Sequence, residues 1–192
     1  MSVRLLPLVL FLVASAGRAE GHEFTQRGTL AVAGGPARAA ELSVACAPQP
    51  NGGALSIELG VPEANTRRDF DYDDFEGPDA AAADQALSEL VWTGATGRVA
   101  IRHAAAGWYA PEPPGSFRFG IEQPSHRRAE PARLLAAIRD GAGTLVWTQT
   151  ALADPQRRLV ATFALDAAAV ARLHDTVAQC LPQNLPMRPR SP

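Results

Sequence analysis

The chain has 192 residues, with 18 basic side chains that are all arginine, 20 acidic side chains and a formal charge of −2 with its four histidines neutral. At 46% hydrophobic and 20% charged it has the composition of a globular protein with a core, and its length sets one domain as the expected count. The absence of lysine excludes a Walker A phosphate loop, a Schiff-base enzyme and a Ser-x-x-Lys acyltransferase, and scattered arginine on a mildly acidic chain leaves no electrostatic source for nucleic-acid binding.

Residues 1–19 open with Arg4, continue through the apolar run Leu5 to Val13 and close on small residues at Ala14-Ser15-Ala16 and Gly17-Arg18-Ala19. This is the pattern of a secretory signal peptide, and a run of nine residues is too short to cross the roughly 30 Å hydrocarbon layer. Small residues at −3 and −1 allow cleavage after Ala16 or Ala19, and the latter leaves a mature chain of 173 residues with a charge of −4. No membrane insertion of that mature chain is expected. Abundant Ala, Arg, Pro and Gly without Lys matches a GC-rich bacterial genome.

Strand-like alternation then appears at Thr29 to Ala33, Leu42 to Cys46, Leu55 to Leu59, Glu89 to Thr93, Val99 to His103, Phe117 to Ile121, Thr144 to Thr150 and Leu159 to Ala164. Pro50-Asn51-Gly52-Gly53 and Gly94-Ala95-Thr96-Gly97 lie between neighbouring strands as hairpin turns, so antiparallel pairing follows. Helical periodicity is confined to Pro131 through Ile138, ahead of Gly141, and to Asp166 through Cys180, where Val170, Leu173, Val177 and Cys180 form one apolar stripe behind an N-cap aspartate. The pattern predicts an α+β fold, one antiparallel sheet or a partly closed β-sandwich, with the C-terminal helix packed on one face and a second short helix. The tetrapeptide Leu-Val-Trp-Thr occurs at 90–93 and again at 145–148, which raises the alternative of a duplicated hairpin. Domain boundaries follow as a signal peptide over 1–19, a single domain over 20–181 and a disordered Pro-rich tail over 182–192.

The two cysteines lie at opposite ends of the mature chain, Cys46 on the apolar face of a strand and Cys180 on the apolar stripe of the last helix. In an exported chain such a pair is expected to form a disulfide.

The densest functional candidate is the segment Asp69 to Asp79, with Asp69, Phe70, Asp71, Tyr72, Asp73, Asp74, Phe75 and Glu76 at its centre: six carboxylates and three aromatics in eleven residues. Asp69, Asp71 and Asp73 match the first three ligand positions of a calcium loop. Asp74 and Ala80 then stand where the motif needs Gly and a bidentate Glu, which excludes an EF-hand and leaves an irregular calcium site as an alternative. Aromatics beside acids also suit a surface that selects a basic partner. A plain structural reading, rings inward and acids solvated, competes with both. The rings lie at two- and three-residue spacings between acids, so a strand or turn there cannot easily bury all three without also desolvating carboxylates, and at least one ring is expected to stay accessible. Trp108 and Tyr109, beside the Pro111 to Pro114 loop, form a second candidate, an aromatic platform for a ligand.

The four histidines show no zinc spacing, no Gly-x-Ser-x-Gly elbow occurs, and no catalytic residue, metal ligand or cofactor is assigned. The expectation is a periplasmic or secreted protein of the bacterial envelope that binds a protein or small ligand without turnover. The alternatives are a hydrolase using carboxylates of the 69–79 segment, or a calcium-binding protein.

Overall fold

The computed structural model describes residues 22–47, 54–67, 69–95, 97–123, 129–139 and 141–181. The signal pattern, the hairpin residues 50–53 and the 182–192 tail therefore lie outside the described residues. Strands run over β1 (His22–Val32), β2 (Arg38–Ala47), β3 (Ala54–Val61), β4 (Ser88–Gly94), β5 (Gly97–His103), β6 (Ala106–Tyr109), β7 (Phe117–Gln123), β8 (Gly143–Thr150) and β9 (Arg158–Leu165). Helices are α1 (Ala129–Ala137) and α2 (Ala167–Val177).

All nine strands belong to one sheet in the order β5-β4-β8-β9-β1-β2-β3-β7-β6, and every neighbouring pair is antiparallel. This corrects the expected α+β fold and its β-sandwich variant: the protein is mostly β, a single antiparallel sheet curled into a half-barrel, with only two α-helices among the described residues. The decisive ladder is the one between β1 and β9, where Thr29 to Val32 pair with Leu159 to Thr162 and fuse the two halves of the chain into one sheet. A sandwich would need a break there. The curl follows from chain length as well. Strands β5 and β6 stand at opposite ends of the sheet order, yet only Ala104 and Ala105 separate them, and that connection spans at most about 11 Å.

Period-2 alternation places one face of each strand inside. In β9, Leu159, Ala161, Phe163 and Leu165 are buried while Val160, Thr162 and Ala164 are exposed. The inward residues of all strands but the short β6 join one hydrophobic cluster that includes Trp92, Trp147, Phe117 and Phe119. Helix α2 covers β9, β1 and β2 with Val170, Leu173 and Val177, and Asp166 caps its N-terminus by accepting from the Ala169 amide at 2.7 Å. Cys46 of β2 and Cys180 just beyond α2 form the expected disulfide, 134 residues apart in sequence.

The free edges are guarded. Helix α1 packs on β5, where the Arg133 guanidinium donates to the Ala100 carbonyl at 2.9 Å. On β6 the Gly77 amide donates to the Gly107 carbonyl at 2.9 Å. The two Leu-Val-Trp-Thr segments fall on the adjacent strands β4 and β8 and pair with each other, Leu90 opposite Trp147 and Trp92 opposite Leu145.

Candidate functional site

Between β3 and β4 the chain leaves the sheet over 62–87 and crosses the end of the half-barrel formed by Val61, Phe117 and the β8–β9 turn. Two short 3-10 turns, Ala64–Thr66 and Tyr72–Phe75, organise this excursion. All three rings of the acidic segment are buried, Phe70 at 3% exposure, Tyr72 at 3% and Phe75 at 1%, so the expectation that one would stay accessible is corrected. The reason is local period. Residues three apart in a 3-10 turn share a side, so Tyr72 and Phe75 point inward together while Asp71 and Asp73 are exposed and Asp74 half-buried. The rings stack on β7, with centroids 5.2 Å apart for Tyr72 and Phe117 and 5.3 Å apart for Phe75 and Phe119.

The alternating aspartates face three different partners. Asp69 pairs with Arg38 at 3.2 Å, and the same guanidinium donates to the Tyr72 hydroxyl at 2.8 Å. Asp71 pairs with Arg157 of the β8–β9 turn at 3.1 Å, and Asp73 accepts from the Tyr109 hydroxyl at 3.1 Å. They do not converge as calcium ligands, and among the described residues no group of three His, Cys, Asp or Glu side chains is placed to hold a metal ion. Burial pushes the Tyr72 phenol up to about 12, against the opposing influence of Arg38. The Tyr109 phenol is likewise pushed up to about 12, by burial and by its bond to Asp73.

Above the buried rings lies a cleft of about 640 Å³. Asn65 of the first turn and Arg67 just after it line the cleft, with Asp71 just before the second turn, Asp73 and Asp74 within it, and Tyr109 and Ala153 from the flanking strand and turn. Glu76 lies outside the cleft and bridges to Gly107 on the edge of β6. Tyr109 and Trp108 part company, because consecutive strand residues face opposite ways. Tyr109 packs on Phe117 at 5.0 Å and reaches Asp73. The Trp108 ring lies over Gly120 on the outer face, beside Arg118, which pairs with Glu41 and Glu58 at 3.3 Å each. The two aromatics therefore form no common platform.

The sequence reading missed Arg38, Arg157, Asn65 and Arg67. Arg38 had a signal: it shares the inward parity of Ala40, Leu42, Val44 and Cys46 on β2, and a charge on an apolar strand face needs a partner. Arg157 had none, since its partner is 86 residues away. No family model matches the chain, and neither a curated protein nor a solved structure shows significant similarity to it.

Proposed function

We propose that the protein is an exported binding protein of the bacterial envelope that acts without catalytic turnover and receives a basic group of a partner in the cleft beside the acidic turn. Support for export comes from the signal pattern at 1–19, from a disulfide that suits an oxidising compartment, and from cysteines that are both committed to it. No described helix is long and apolar enough to cross a membrane.

The carrying observation is the uneven neutralisation of the aspartates. Asp69 and Asp71 each have an arginine of this chain, whereas Asp73 has a neutral phenol and Asp74 has no ion pair among the described residues. Both of these carboxylates line the cleft, above a floor of buried rings. A guanidinium or ammonium group entering there meets carboxylate acceptors on one side and the half-buried Tyr109 ring on another.

Fluorescence anisotropy of a labelled oligoarginine peptide against the mature chain tests this reading. Binding should weaken at least fivefold in the Asp73→Asn, Asp74→Asn double variant, and the wild-type affinity should fall as salt rises. Equal affinities of the two proteins would remove the cleft from the account.

A further inference from the structure

We propose that Arg157 is an internal counter-ion of this cleft, a guanidinium that the chain rests on the lining carboxylate of Asp71 until a partner's cation displaces it. The inference rests on the cleft being a site for a basic group, and it concerns how that site is regulated. Residues 151–157 form the turn between β8 and β9, closed by main-chain bonds from Ala151 to the Arg157 carbonyl and from Arg157 to the Asp154 carbonyl, each 3.0 Å. Ala153 of that turn lines one wall of the cleft and Asp71 lines another. The contact between Arg157 Nη1 and Asp71 Oδ2, at 3.1 Å, ties these two walls together.

The two arginines of the site differ in kind. The Arg38 side chain is 11% exposed and bonds both Asp69 and the Tyr72 hydroxyl, so it belongs to the packing of the segment. The Arg157 side chain is 41% exposed and its carboxylate partner 48%, with that single side-chain bond between them. Water and salt compete with an ion pair this open, and it contributes little to folding. Its geometry is nevertheless that of a ligand's guanidinium on a cleft carboxylate. An incoming cation can take Asp71 by exchange, releasing Arg157 to solvent and freeing the turn from the acidic segment.

The test compares oligoarginine binding by wild type, Arg157→Gln, Arg158→Gln and Asp71→Asn with Arg157→Gln. Arg158 is the neighbouring control, exposed and bonded to the Pro155 carbonyl, and its loss changes the net charge equally. Arg157→Gln should raise affinity about two- to fivefold, the factor set by one exposed ion pair. Arg158→Gln should leave affinity unchanged, and in the Asp71→Asn background the Arg157→Gln gain should vanish. An equal gain from Arg158→Gln would reduce the effect to net charge, and a loss on Arg157→Gln would make Arg157 a ligand contact; either overturns the counter-ion reading. So does an unchanged Arg157→Gln affinity when wild type binds. If no variant binds the peptide, the reading of the cleft itself falls, and this inference with it. Far-ultraviolet circular dichroism of each variant checks that the sheet is intact.

Discussion

Tyr72 brings a phenol into the end of the half-barrel, where its ring replaces water around Phe117 and its hydroxyl accepts from Arg38. Burial favours the neutral phenol, so its ionisation is displaced from the ordinary value near 10 to about 12. The linkage has a definite sign. Between about pH 10 and about 12 the unfolded chain has released the tyrosine proton while the folded chain retains it, so stability present below pH 10 is lost as pH rises through that window. Tyrosinate absorbance should thus develop near 12 in the folded protein, and the melting temperature should fall as the pH passes 10. Tyr72→Phe should flatten part of that fall, while at neutral pH it removes one acceptor of Arg38 at a cost of about 1–3 kcal/mol. Native tyrosinate appearing at the free-tyrosine value would contradict the burial argument. The same two residues mark how far single positions could be read. The misplaced charge of Arg38 on an apolar strand face was visible in the sequence, but its partners, Asp69 and Tyr72, lie 31 and 34 residues away and were not.

Elements were legible wherever the two-residue period was long and unbroken. The expected strands at Leu42 to Cys46, Leu55 to Leu59, Phe117 to Ile121 and Leu159 to Ala164 all lie inside observed ones. The first half of β1 was missed because its inward positions include Gln26 and Gly28, which carry no apolar signal. Strand β6 was missed for another reason: it has four residues, Ala-Gly-Trp-Tyr, too few to show a period. That short strand nevertheless fixes the acidic segment. Gly107 accepts from Gly77 and lies where a Cβ would overlap the Phe117 ring and stand 2.9 Å from the Phe75 carbonyl oxygen. The segment reaches the edge of the sheet only because no side chain intervenes. Gly107→Ala should therefore destabilise the protein by about 1–3 kcal/mol, the range for overpacking a filled site, seen as a lower denaturation midpoint. A midpoint equal to wild type would mean that the contact relaxes without loss and that the docking of 69–77 does not depend on this glycine.

At the scale of the whole molecule the sequence reading failed on closure and succeeded on the staple. Alternation tells which face of a strand is buried but carries nothing about which distant strand lies beside it, so neither the β1–β9 ladder nor the approach of β5 to β6 was accessible. The cysteines were accessible because two local patterns, a strand face ending at Cys46 and a helix stripe ending at Cys180, aimed both sulfurs at one core. Their disulfide encloses every element from β3 to α2, with a separation of 134 residues. Closing so long a loop removes chain entropy from the unfolded state worth up to about 5 kcal/mol, an upper bound because unfolded chains keep some compactness. The folded state loses little when the bond opens. Helix α2 still has its Asp166 cap and buries Val170, Leu173 and Val177 against β9, β1 and β2. The Cys46→Ser, Cys180→Ser double variant should therefore fold to the same circular dichroism spectrum and melt at a clearly lower temperature, unaffected by reductant, while reductant should bring wild type down to the same value. Identical melting of reduced and oxidised wild type would place the stabilisation elsewhere, in the α2 interface alone.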